Sequence, residues 1–212
     1  CEPIPKKQMN KPLFISLEGV DGAGKTTHIH FIEDYFRTKG LHFYMTREPG
    51  GTDLGEKLRL LLLHEEMDAL TETMLMFAAR CEHIQTIIKP KLDQGITVVS
   101  DRFTDATYAY QAGGKGVDAR SIDVLKSLVQ KDLDPDLTFL FDVPVEISIE
   151  RLKDTRTMDK FEREEPIFHQ SIRNAYLDLA QSFPQRFHVL NGTHAIEAIQ
   201  DEIKLILDRR LG

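Results

Sequence analysis

Gly19-Val20-Asp21-Gly22-Ala23-Gly24-Lys25-Thr26 stands between an apolar run at residues 13–17 and a stretch in which Ile29, Ile32 and Phe36 recur at spacings of three and four. The run reads as a strand and the periodic stretch as a helix with one apolar face, closed by Gly40 as a C-terminal stop. Glycines between them let the backbone wrap an anionic group with its N–H groups turned inward, and the helix N-terminus adds partial positive charge. Lys25 can then reach the β- and γ-oxygens of a nucleoside triphosphate, and the Thr26 hydroxyl suits Mg2+. Residues Gly19, Val20, Asp21, Gly22, Ala23, Gly24, Lys25, Thr26 and Thr27 are therefore the expected ATP-binding loop. A strand, loop and helix in this order also make α/β the expected fold class.

The alternation continues along the chain. Apolar runs at 42–46, 96–100, 137–143 and 187–190 lack strict polar alternation, as expected of parallel strands covered by helices on both faces. Helical stretches fall at 55–63, 72–93, 121–133, 145–152, 165–183 and 195–209, with Pro90 expected to kink or loosen the second of these. One doubly wound domain over residues 12–212 with five strands is the expected organisation. Residues 1–11 read as a tail with Met9 as a candidate start, because three prolines and three lysines in the first twelve residues fit neither a signal peptide nor an anchor.

A net charge of −7 argues against broad nucleic-acid binding, so a phosphate substrate has to be met by locally placed cations. No apolar run is long enough to span a bilayer. Cys1 and Cys81 form no close pair or Cys/His cluster, which disfavours a disulfide scaffold or zinc site and leaves the cytoplasm as the expected compartment.

Asp101-Arg102-Phe103 follows the third apolar run, at the carboxyl end of a strand where ligands of open α/β sheets gather. Asp101 can organise Mg2+ waters opposite Thr26, and Arg102 can bridge phosphoryl groups whose charge shifts during transfer. Alternatively, Asp101 caps the following helix and Arg102 is a solvated charge.

Directly after the second run comes Thr46-Arg47-Glu48-Pro49-Gly50-Gly51-Thr52, followed later by Arg80-Cys81-Glu82-His83. The third run leads into Asp101-Arg102-Phe103-Thr104-Asp105-Ala106-Thr107-Tyr108-Ala109-Tyr110-Gln111, and Pro135-Asp136-Leu137-Thr138 and Phe141-Asp142-Val143 lie beyond it. With the glycine loop, these segments resemble the thymidylate kinase family of bacterial type, from about Leu13 to the C-terminus. The resemblance implies a nucleoside monophosphate kinase fold with strand order 2-3-1-4-5, a homodimer, a cis Glu48-Pro49 bond, and transfer of the ATP γ-phosphate to dTMP. It implies that Arg47 and Arg80 grip the dTMP phosphate, Arg102 sits between donor and acceptor phosphates, and Asp21 approaches the sugar 3′-hydroxyl. It brings Thr107 and Gln111 near thymine, and Tyr110 against the deoxyribose where a 2′-hydroxyl would crowd; core packing is the alternative for Tyr110.

The family pattern Phe-Ala-Ala-x-Arg appears here as Phe77-Ala78-Ala79-Arg80, one residue short. An ungapped count puts Met76 at the base-stacking position, while a helical bulge would bring Phe77 there. The resemblance further implies a lid at about 151–164. Residues 20–23 contain no arginine, so the lid has to supply the transition-state cation. Lys160, in Asp159-Lys160-Phe161-Glu162, stands where arginine is usual, so the role shifts to Arg156 or Arg151; Arg156, in the middle of the lid, is favoured, and Arg151, nearer its helical base, could instead stack on adenine. His64 and His83 are not needed as bases, since the acceptor is already a phosphate oxygen. The competing readings are another nucleotide or nucleoside kinase with this loop, and a nucleotide-binding switch without acceptor turnover.

Overall fold

Five strands form one parallel sheet in the order β2-β3-β1-β4-β5, with β1 at Phe14–Glu18, β2 at Phe43–Arg47, β3 at Thr97–Asp101, β4 at Leu137–Asp142 and β5 at Phe187–Asn191. The computed structural model describes residues 11–153 and 159–211. Each strand lies within a residue or so of its apolar run, and the order is the expected one.

Register decides where the chemistry falls. Leu17 pairs with Asp101, and Asp101 with Arg47, so β1, β3 and β2 end side by side. The glycine loop, Arg102 and Glu48 therefore leave the sheet together at its carboxyl edge. Alternate strand residues feed opposite layers: Ile15, Leu17 and Val99 join a core with Ile32, Phe36 and Ile203. Phe14 and Val98 join another with Ile84, Ile88 and Phe103.

The helices are α1 (Lys25–Thr38), α2 (Asp53–His64), α3 (Ala69–His83), α4 (Lys89–Asp93), α5 (Thr104–Thr107), α6 (Ala119–Val129), α7 (Val145–Lys153), α8 (Pro166–Ser182) and α9 (Ile196–Leu211). Thr52 caps α2 by accepting from Gly55 N at 2.8 Å, and Asp68 caps α3 by accepting from Leu70 N and Thr71 N. Residues 72–93 are not one helix. Ahead of Pro90 the chain widens into a π-helical segment, Ile84–Ile88, in which Lys89 N donates to Ile84 O, and then resumes as α4. A proline ring clashes with the preceding turn, and the wider turn accommodates it. A second π-helical segment, Tyr108–Gly114, continues α5. Glu48-Pro49 is cis. Among the described residues, no helix is long and apolar enough to cross a membrane.

Candidate active site

The glycine loop is shaped by close backbone approach. Gly22 has φ 78°, and a Cβ there would lie 2.4 Å from Ser148 O in α7, so no side chain fits. Lys25 Nζ donates to the carbonyls of Gly19 and Val20 at 3.1 and 3.3 Å, which holds its ammonium over the loop. Burial and the nearby Arg102 charge push Lys25 down from the usual lysine range, against Asp101, Asp21 and Glu18. Thr26 and Thr27 are exposed at the start of α1. Arg151 reaches over from α7 and donates to Gly192 O at 3.0 Å and Gly22 O at 3.4 Å, so its guanidinium lies against the loop.

Arg102 leaves β3 with φ 70°, a left-handed conformation that is uncommon and costly for a non-glycine residue. The turn delivers its guanidinium to Asp21 Oδ1 at 2.5 Å and Tyr176 Oη at 3.2 Å, 4.8 Å from the Tyr110 ring centroid. Tyr110 Oη donates to the other Asp21 oxygen at 2.7 Å. Burial alone would raise Asp21, but Arg102 and Lys25 overcome it and hold the carboxyl well below its usual range. Beneath them Glu18 accepts from Phe103 N and Tyr176 Oη; burial, then Asp105, push it up to about 8. A junction of fixed charge thus joins the glycine loop to the space beyond.

That space is a concave cavity lined by apolar side chains and a few convergent polar groups, the form that small-molecule sites take. Asp21, Arg59, Arg80, Arg102, Tyr110 and Gln111 are among its polar groups, and Leu63, Met76, Ala106 and Phe161 form part of its apolar wall. Arg80 is held from behind: its Nε donates to Glu48 Oε2 at 2.7 Å and Nη2 to Thr107 Oγ1 at 3.1 Å, with the rings of Phe77 and Phe103 beside the guanidinium. His83 bonds the second Glu48 oxygen at 2.9 Å and Thr46 Oγ1 at 2.6 Å. Arg80 and His83 draw Glu48 below the usual carboxylate range despite its burial, which by itself raises it. Nη1 of Arg80 is buried and, among the described residues, has no partner.

Asp101 Oδ1 is likewise buried without a partner, close to Lys25 and the start of α1. Among the described residues no three His, Cys, Asp or Glu groups gather to cage a metal. An orphaned carboxylate oxygen and one hydroxyl fit Mg2+, which is usually held by one or two protein oxygens together with substrate phosphates.

The family model for thymidylate kinase matches residues 17–203. The chain belongs to the thymidylate kinase family. It is 56% identical over 190 residues to the thymidylate kinase of Methylobacillus flagellatus, covering 90% of this chain and 94% of that one. It is 49% identical over 202 residues to that of Nitrosomonas europaea, covering 94% of each. The crystal structure of thymidylate kinase from Ehrlichia chaffeensis superimposes with a TM-score of 0.76 at 37% identity, over 93% of this chain and 98% of that one. Members of this family are ATP-dependent nucleoside monophosphate kinases.

The structure brings several of the motif residues together around the cavity and leaves others outside it. Asp21, Arg80, Arg102, Thr107, Tyr110 and Gln111 all line the cavity. Tyr110 also belongs to the core. Arg47 does not line the cavity: it is half exposed, bonds Glu56 at 2.8 Å, and borders a separate hollow with Asp101 and Thr46. The cation that enters the cavity from this region is Arg59, which the motif reading missed; α2 carries Arg59 and Leu63 one turn apart onto the same wall. Met76 lines the cavity and Phe77 does not, because α3 is regular through His83 and the bulge begins only at Ile84. Phe77 is instead buried against Arg80. Lys160 is not a free lid cation; it is buried and bonded to Glu72 at 2.7 Å and to Glu65 O at 2.9 Å. Arg156 lies outside the described residues. His64 is exposed, and His83 is a buried link outside the cavity.

Proposed function

We propose that this chain transfers the γ-phosphoryl group of ATP to dTMP, giving ADP and dTDP for DNA precursor synthesis in the cytoplasm. The observation that carries the reading is Arg102, held in a left-handed turn between the glycine loop and the acceptor cavity. A cation fixed at that junction faces both phosphates. The γ-phosphorus to bridging-oxygen bond breaks while a dTMP phosphate oxygen bonds to the phosphorus, so the protein has to align the partners and stabilise charge, with no proton to remove.

Lys25 and the loop N–H groups take the donor phosphates, with Arg59 and Arg102 on the acceptor phosphate. Arg47, tied to Glu56, stands outside the cavity and adds positive charge near Arg59. The Arg80 bond to Thr107 favours the base end of the cavity for Arg80, where an exocyclic carbonyl would satisfy its free Nη1. Met76 offers a polarizable sulfur to the base face, and Asp21 and Tyr110 border the sugar. Thr26 and Asp101 would hold Mg2+, partly through water; when bound, the ion neutralises charge on the transferring phosphates. The segment 151–164 acts as a lid, with Arg151 against the nucleotide and Arg156 as the cation of the transition state, in keeping with an arginine-free loop of bacterial type. The chain works as a homodimer. ADP formation measured with dTMP, dCMP, dGMP, AMP and UMP tests the assignment: dTMP should exceed every other acceptor, and equal rates across the panel would refute the base assignment.

A further inference from the structure

Behind the cavity wall lies a charged cluster that phosphate chemistry does not use. Glu72, Met76 and Arg80 recur every fourth residue of α3 and so share one face, opposite Thr107 and Gln111, also four apart. Two bonds cross between these helices. Arg80 Nη2 donates to Thr107 Oγ1 at 3.1 Å, and Gln111 Nε2 donates to Glu72 Oε1 at 2.9 Å. Glu72 is fully buried, and its second oxygen takes Lys115 Nζ at 2.9 Å and Lys160 Nζ at 2.7 Å. Both ammonium groups also lie over the ring of Phe161, at 4.8 and 5.2 Å from its centroid, and Phe161 lines the cavity.

A carboxylate flanked by two ammonium groups can only accept hydrogen bonds. Gln111 must therefore turn its NH2 group to Glu72, which leaves the amide oxygen as the group it can offer to the cavity. Among the described residues that oxygen receives no donor. Arg80, which lines the same cavity, carries an unpartnered donor in Nη1. The wall thus presents one donor and one acceptor in a fixed order.

We infer that Glu72 is a positioning residue for base selection, which locks the Gln111 carboxamide so that its oxygen faces the base and a ring N–H is required there. The inference rests on dTMP as acceptor and deepens that reading. A pyrimidine with a 4-carbonyl and N3–H meets the wall donor to acceptor; a 4-amino pyrimidine meets it with like groups opposed, which costs the site its hydrogen bonds. Lys115 and Lys160 act through Glu72, keeping its carboxylate desolvated but paired. Because Lys160 belongs to the 159–164 segment, the polarity of the wall is set only where that segment is seated against α3.

The acceptor pair dTMP and 5-methyl-dCMP isolates this edge, since the two carry the same methyl group and sugar. The ratio of their kcat/KM values is measured for the wild-type protein and for Glu72→Gln, whose side chain gives Gln111 either an oxygen or an NH2 group to face. The expected result is a fall in the ratio of at least about tenfold, through gain for 5-methyl-dCMP as well as loss for dTMP. A ratio unchanged within about twofold would overturn the inference. If Glu72→Gln does not fold, the wild-type protein still decides. In 15N–1H spectra the Gln111 side-chain NH2 should be protected from solvent exchange before and after dTMP binds. An NH2 signal that exchanges freely, or loses protection on binding, would overturn the inference as well. A wild-type protein that prefers 5-methyl-dCMP would refute the dTMP assignment itself, an outcome read before any variant is made.

Discussion

Among single residues, two arginines twelve positions apart differ in their placement: Arg59 lines the cavity and Arg47 does not. Arg47 belongs to the recognisable Arg-Glu-Pro-Gly-Gly segment, yet its guanidinium forks onto Glu56 at 2.8 and 3.2 Å and stays half exposed. Arg59, in the helical stretch that follows, donates to Pro49 O at 2.9 Å and lines the cavity. Burial and the charges of Arg47 and Arg102 push Arg59 down from its usual range, so an added phosphate relieves a crowd of cations. Arg59→Ala should therefore raise the dTMP KM by at least about tenfold and leave the ATP KM nearly unchanged, as expected for a charge-assisted contact to the acceptor. Arg47→Ala should raise the dTMP KM less than Arg59→Ala does. Steady-state kinetics with each substrate varied in turn checks both, and the reverse ranking would return the phosphate to Arg47. Arg59 was hard to read in the sequence because its role depends on the direction in which α2 leaves Gly50 and Gly51. One local signal existed, an arginine one turn before an apolar residue on a helix that follows the motif directly.

At the scale of elements, the strands were legible because a parallel sheet covered on both sides writes itself as short apolar runs. The helix bounds were less so. Residues 72–93 carry one continuous apolar period, and only Pro90 hinted at the π-helical turns of Ile84–Ile88. The position of that bulge settles which side chain faces the cavity, and a one-residue gap in the Phe-Ala-Ala-Arg motif could not reveal it. Regular α3 geometry puts Met76 and Arg80 on one line and sends Phe77 inward. Phe77→Ala should then act mainly on stability, costing about 3–5 kcal/mol as a buried aromatic truncation does. Met76→Ala should act mainly on substrate, raising the dTMP KM with little change in the melting temperature. Denaturant unfolding and kinetics on the same two variants separate these effects; a large KM effect confined to Phe77→Ala would mean that α3 is rotated in the working enzyme. Gln111 could be named from its motif, whereas its link to Glu72 and Lys160 joins residues far apart in sequence and was invisible there.

For the whole molecule, the register of three adjacent strands collects donor and acceptor machinery at one sheet edge, and the helices on one flank stay incompletely covered. Leu54 and Leu61 on α2, Leu70 and Met74 on α3, and Val124 and Leu128 on α6 are all more than two-fifths exposed. Their spacings of seven, four and four put each pair on one face of its helix, and α3 packs against both α2 and α6. Apolar side chains grouped in this way suit an interface between copies. Sedimentation should find a dimer, and Leu128→Glu, with the side chain 74% exposed in the single chain, should shift it to monomer without unfolding it. A wild-type monomer at micromolar concentration would exclude the homodimer. The central claim is phosphoryl transfer to dTMP, and the most direct measurement follows the label from γ-labelled ATP incubated with the protein, Mg2+ and dTMP. The label should appear in dTDP, depend on dTMP, and leave little free phosphate. Label found only as inorganic phosphate, at a rate indifferent to dTMP, would contradict the account and identify a nucleotide-hydrolysing module instead.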